Sequence, residues 1–208
     1  MIFVSVANAS TNIVVNSNSD LALDDGLCTL REAIISANSD SSSGATSGEC
    51  QAGSGIDTIL FQIIGTPDFI INGQNGYTIK PNLNFETISE TVIIDGYSQP
   101  GARPNTAISP RPLNGTLLIE LDGENAGSSD GLETGPTSNG TEILGLVINS
   151  FEGRGVGSNQ GGPNTKVQGN YIGTDPTGMI DKGNVSTGVQ VGAGALLGGL
   201  NPRDRNII

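Results

Sequence analysis

The chain has 208 residues, a formal charge of −12, 31 Gly, and neither His nor Trp. That balance excludes nucleic acid and anionic membrane surfaces as partners, since both need clustered Lys and Arg. The missing His excludes a Ser-His-Asp triad, a Cys-His dyad and a His-ligated zinc.

In chain order, Met1–Ala9 is short, apolar and ends Ala7-Asn8-Ala9, which reads as the tail of a secretory signal or as a first strand. Asn12–Asn16 reads as a strand. Ser17–Gly26 is an acidic loop whose Asp20, Asp24 and Asp25 are candidate calcium ligands. It lacks the ligand spacing of an EF-hand, so a solvated loop is the simpler reading. Cys28 and Cys50 are the only cysteines. An even count in a Ser/Gly/Asn-rich chain suggests a disulfide and an oxidising compartment, against two free thiols in a reducing one. A helix is expected over Leu30–Ala37. Thr29 and Glu32 are spaced as a capping box, and Leu30, Ala33, Ile34 and Ala37 make one apolar stripe. Residues 1–57 thus form an N-terminal unit of strand, capping helix and disulfide loop. No apolar run approaches the roughly 18 residues of a membrane span.

From residue 58 to 208 helical periodicity disappears. Short apolar runs alternate with Gly, Pro, Asn and Asp turns: Thr58–Phe61, Tyr77–Ile79, Val92–Ile94, Leu117–Leu121, Ile143–Ile148, Val167–Ile172, Val189–Val191 and Ile207–Ile208. Val92-Ile93-Ile94-Asp95-Gly96 returns 27 residues on as Ile119-Glu120-Leu121-Asp122-Gly123, and again as Leu146-Val147-Ile148-Asn149-Ser150. A second register links Thr141-x-Ile143-x-Gly145 to Thr165-x-Val167-x-Gly169 at 24 residues. Periods of this size mark repeat architectures. The expected fold is therefore all-β: a right-handed parallel β-helix, or solenoid, closed at its N-terminus by the short helix. A β-sandwich or up-and-down barrel is the alternative. Asp95, Asp122 and Asn149 would form a ladder at one corner of successive coils.

Cys28-Thr29-Leu30-Arg31-Glu32-Ala33 resembles the Cys-Ser/Thr-Leu-Arg-Glu-Ala motif that opens many secreted bacterial right-handed parallel β-helix repeat proteins. Ile94-Asp95-Gly96-Tyr97-Ser98-Gln99-Pro100-Gly101 and Gly169-Asn170-Tyr171-Ile172-Gly173-Thr174-Asp175 continue that resemblance. It implies export and exposure at the cell surface, and it implies no particular activity. Chains of that family run on for many more coils, so a fragment, a processed form or an end covered by another chain is expected at Ile208.

The sharpest candidate chemistry is Asp95 with Asp122, flanked by Glu120. With Ile94 and Leu121 inward, these carboxylates face out and would stand about 5 Å apart. That suits a retaining glycosidase or an oxygen-ligated calcium; the simpler reading is that each Asp caps its own Asp-Gly corner. Arg103, Arg111 and Arg154 are the bases available to a polysaccharide lyase. Arg31 is expected to pair with, or hydrogen-bond, the neighbouring loop. The expectation is a non-catalytic structural or adhesive module with no cofactor, its partners being itself or cell-surface carbohydrate. A carbohydrate-active lyase or hydrolase is the alternative.

Overall fold

A computed structural model describes residues 10–158 and 161–208; the signal-like Met1–Ala9 lies outside them. The elements are β1 (Asn12–Val15), α1 (Leu30–Ser39), β2 (Asp57–Phe61), β3 (Phe69–Ile71), β4 (Gln74–Ile79), β5 (Val92–Asp95), β6 (Ile119–Asp122) and β7 (Leu132–Thr134). They continue with β8 (Glu142–Leu144), β9 (Val147–Asn149), β10 (Val156–Ser158), β11 (Lys166–Gln168), β12 (Tyr171–Ile172) and β13 (Leu196–Leu197).

The strands fall into three sheets. One has six parallel strands in the order β1-β2-β5-β8-β11-β13. A second has five, β12-β9-β6-β4-β3, and is mixed, because β3 runs antiparallel to β4. The third is the parallel pair β10-β7. Within the six-stranded sheet the register stacks Ile13, Ile59, Ile94, Ile143 and Val167 in one buried column. In the five-stranded sheet Ile79, Leu121, Ile148 and Ile172 do the same. β-branched side chains suit such parallel, buried ladders. The two columns belong to one apolar core, which also takes in α1.

This corrects the expected fold class. The molecule is not an all-β parallel β-helix or solenoid. It is an α/β arrangement of open sheets, one of them mixed, with a ten-residue helix packed on β1 and β2. The 27-residue return from Val92 to Ile119 is not a stacking period: β5 pairs with β2 and β8, whereas β6 pairs with β4 and β9 in the other sheet. The spacings that do become strand registers are Glu142 to Lys166 and Asp122 to Asn149. The runs Ile143–Ile148 and Val167–Ile172 are each two strands, not one. Gly145 at φ +68° and Gly169 at φ +69° turn the chain between them from the six-stranded sheet into the five-stranded one. Glycine, with no Cβ, enters that left-handed region at no steric cost.

The high Asn content has a structural use at the same corners. The fully buried Asn170 donates from Nδ2 to the Ile143 carbonyl and accepts from Leu146 N–H; Asn206 donates to the Val167 carbonyl and accepts from Asn170 N–H. These amides satisfy backbone groups that the turn takes out of the ladders.

The helix forms as expected, two residues longer at its C-terminus. Thr29 Oγ1 accepts from Glu32 N–H at 3.3 Å, and Thr29 N–H donates to Glu32 Oε2 at 2.9 Å, closing the capping box. Leu30, Ala33, Ile34 and Ala37 are buried against the core. Thr29→Ala is expected to lose about 1 kcal/mol, with Thr29→Ser close to the parent. Urea unfolding of the three proteins checks this.

Candidate functional site

The outward face of β6 carries the expected carboxylates, but they are covered. Glu120 and Asp122 are each 4% exposed. Glu120 Oε2 accepts from Thr78 Oγ1 at 2.8 Å, and Oε1 accepts from Asn149 Nδ2 at 2.8 Å. Lys182, from the segment after β12, reaches Glu120 Oε1 at 3.3 Å and Asp122 Oδ2 at 3.9 Å. Lys80 stands 3.3 Å from Asp122 Oδ2 and 3.2 Å from Glu124. The Glu124 and Asp122 carboxylates hold its ammonium above the ordinary lysine range. Asp122 Oδ1 also accepts from Glu124 N–H at 3.1 Å, capping a short 3-10 turn. Two buried carboxylates are thus matched by two lysines, as buried charge requires.

Asp95 does not join them. It pairs in register with Leu144 in the six-stranded sheet, while Asp122 pairs with Asn149 in the five-stranded one. The three-residue corner ladder is therefore reduced to Asp122 and Asn149, and the glycosidase-like pair of Asp95 with Asp122 is not assembled. The two Asp-Gly sequences are alike because each aspartate caps a 3-10 turn. Asp95 Oδ1 accepts from Tyr97 N–H at 3.0 Å, as Asp122 does from Glu124. Burial raises the Asp95 carboxyl above the usual carboxylate range, opposed by the Tyr97 N–H bond. Burial likewise pushes the Tyr97 hydroxyl well up, and that hydroxyl donates to the Gly169 carbonyl at 2.8 Å.

The raised Asp95 group has a stability consequence with a defined sign. A carboxyl whose folded pKa lies above its unfolded value adds stability below the unfolded pKa. That contribution is lost as pH rises through the folded value. At pH 7 the charged form is therefore a cost. Asp95→Asn retains an acceptor for Tyr97 N–H and is expected to raise Tm at pH 7, while leaving it unchanged near pH 3, below the ordinary carboxylate value of about 4. Paired thermal scans at the two pH values check it; a lower Tm at pH 7 would contradict the burial argument.

The other sequence-derived candidates are dispersed. Asp20 pairs with Arg31 at 2.9 Å. Asp24 Oδ1 accepts from Thr46 N–H at 2.8 Å, and hydrogen bonds from Thr46 lower its carboxyl. Asp25 Oδ1 accepts from Leu27 N–H at 3.0 Å. The three carboxylates therefore serve separate backbone and side-chain partners. Among the described residues, no group of three or more His, Cys, Asp or Glu is placed to hold a metal ion.

Of the arginines, Arg154 is held by Asp130 and, at 3.4 Å, by Glu133. It lines a polar recess of about 420 Å³ with Asn84, Ser128 and Asp130, beside β7 and away from Glu120 and Asp122. Arg103 lies in an antiparallel bridge with Thr116 through its backbone, and Arg111 N–H closes a turn on the Ile108 carbonyl. None of the three approaches the carboxylates of β6.

Two partners in the β6 cluster had no sequence signal tying them to it. Lys182 lies 62 residues from Glu120, and Thr78 lies 42 residues before it. Cys28 and Cys50 are bonded, both buried. Among the described residues no helix is long and apolar enough to cross a membrane. No family model, no curated protein and no solved structure matches the chain.

Proposed function

We propose that the protein is a structural or adhesive module of a bacterial surface or secreted protein, working outside the cell and pairing with copies of itself. The observation that carries this reading is the buried Cys28–Cys50 bridge, a bond that persists in oxidising compartments. The Cys28–Ala33 motif supports it through its resemblance to secreted bacterial repeat proteins. The long buried columns of Ile, Leu and Val support a rigid body suited to presenting a surface. Cell-surface carbohydrate is the second partner of this reading. Leu196 and Leu197, half-exposed on the outermost strand of the six-stranded sheet, offer an edge for pairing between copies.

Two measurements test it together. Sedimentation velocity over a concentration series is expected to show self-association that Leu196→Lys suppresses; a monomer throughout would remove the pairing. Incubation with polygalacturonate and with alginate is expected to release no reducing ends or unsaturated products. Turnover that is lost in Asp122→Asn would replace the structural reading with a carbohydrate-active enzyme.

A further inference from the structure

The cluster on β6 contains an arrangement that ion pairing does not use. The Lys182 ammonium and the Asn149 carboxamide nitrogen meet on one atom, Glu120 Oε1, at 3.3 and 2.8 Å. Asn149 is fully buried and Glu120 nearly so. Ser150 Oγ donates to Asn149 Oδ1 at 3.0 Å, drawing electron density from the amide carbon. Asn149 Nδ2 donates also to the Thr174 carbonyl at 2.9 Å, and Thr78 Oγ1 fixes the far oxygen of Glu120, so that neither partner is free to rotate away. An amine, a polarised carboxamide and a carboxylate touching both are the parts of an acyl transfer in which the carboxyl group shuttles protons.

We propose that Lys182 and Asn149 join in an intramolecular amide bond formed by the chain itself, with Glu120 as the proton carrier. Glu120 takes a proton from the Lys182 ammonium, and the freed Nζ attacks Asn149 Cγ. The oxyanion that develops on Oδ1 is held by the Ser150 hydroxyl. The Nζ–Cγ bond forms and the Cγ–Nδ2 bond breaks. Nδ2 leaves as ammonium with two of the three protons that Nζ began with, and Glu120 ends as the carboxylate it was. No oxidant, metal or second substrate enters the balance. The product ties the segment after β12 to the end of β9, covering the β6 face. This goes beyond the structural reading above and stands or falls independently of it.

Intact-mass spectrometry of the full chain, followed by peptide mapping, tests the bond. The expected mass is that of the disulfide-bonded sequence less one ammonia, and the map should contain one branched peptide joining the segments around Asn149 and Lys182. Lys182→Arg keeps the ion pair to Glu120 but cannot form the bond, and should have its full calculated mass. Glu120→Gln should likewise give the full mass, with unchanged circular dichroism as the check that it folds. A parent chain at full mass overturns the proposal. So does a deficit that persists in Lys182→Arg, or one that maps to a succinimide at the Asn72-Gly73 turn.

Discussion

Arg31→Ala is expected to lower the free energy of unfolding by about 3 kcal/mol. The size follows from what the side chain holds. Its guanidinium grips Asp20 with two nitrogens, Nε at 3.0 Å from Oδ1 and Nη2 at 3.0 Å from Oδ2. It donates further to the carbonyls of Leu83 at 3.1 Å and Asn84 at 2.9 Å, and lies over the Phe85 ring at 5.1 Å. The Arg31 side chain is 12% exposed and that of Asp20 is 6% exposed, so solvent screens the pair only weakly. Truncation strands the covered Asp20 carboxylate, while the Leu83 and Asn84 carbonyls lie on exposed residues and turn to water; the penalty of the orphaned charge is larger than the attraction lost.

The sign of the coupling separates this account from simple loss of packing. Asp20→Ala removes the charge that Arg31→Ala strands, although it also removes the acceptor for Asn82 N–H. The double variant should therefore lose less than the sum of the two single ones, and strict additivity in urea unfolding would contradict the orphaned-charge argument. Arg31→Lys should recover little, since an ammonium cannot fork onto a carboxylate and reach two carbonyls in the same plane.

Arg31 also marks how far the chain could be read in advance. Its pairing with a neighbouring loop was legible, and so was the helix that carries it, because α1 announces itself through local signals: the Thr29/Glu32 box and an apolar stripe at helical spacing. The loop carbonyls of Leu83 and Asn84 were not legible, being more than 50 residues away. The fold class failed for a related reason. Val92–Gly96 and Ile119–Gly123 share a pattern because each ends in a strand whose aspartate caps a 3-10 turn. That likeness reports the local turn. Which strand lies beside which is set by the lengths of the intervening loops. Between Glu142 and Ile172 those loops are even, and the 24-residue spacing became true register. Between β5 and β6 the chain changes sheet, and the repeat carries no pairing. The β3–β4 hairpin had a usable signal in Asn72-Gly73, whose two residues adopt the positive φ values of a tight hairpin turn. The β6 cluster had none, since Thr78, Glu120, Asn149 and Lys182 meet only through tertiary packing.

Removal of the Cys28–Cys50 bridge is the second large expected effect. The cysteines are 22 residues apart, and opening a loop of that size costs about 3 kcal/mol in the chain-entropy account. For a chain of this length that corresponds to a fall in Tm of roughly 6–12 °C. Both sulfurs are buried beneath the start of α1, so Cys28→Ala with Cys50→Ala is the better variant, because a pair of serines would bury hydroxyls without assured partners. The loop has further ties: Asn16 Nδ2 donates to the Gly48 carbonyl at 3.0 Å, Thr46 N–H to Asp24 Oδ1 at 2.8 Å and Gly53 N–H to the Ser36 carbonyl at 3.3 Å. Ser43 Oγ accepts from Cys50 N–H at 2.9 Å, and Glu49 Oε1 accepts from Asp25 and Gly26 N–H at 2.8 and 2.7 Å. The bridge is the covalent tie between the 40–55 segment and Cys28, the residue before the N-cap of α1. The strand ladders from β5 to β11 share no atoms with it. In the alanine pair, limited proteolysis should therefore cut first within residues 40–55, while the fragment carrying β5 to β11 survives. Cleavage beginning instead in those ladders, or a Tm that does not move on reduction, would mean that the bridge does not anchor the N-terminal unit.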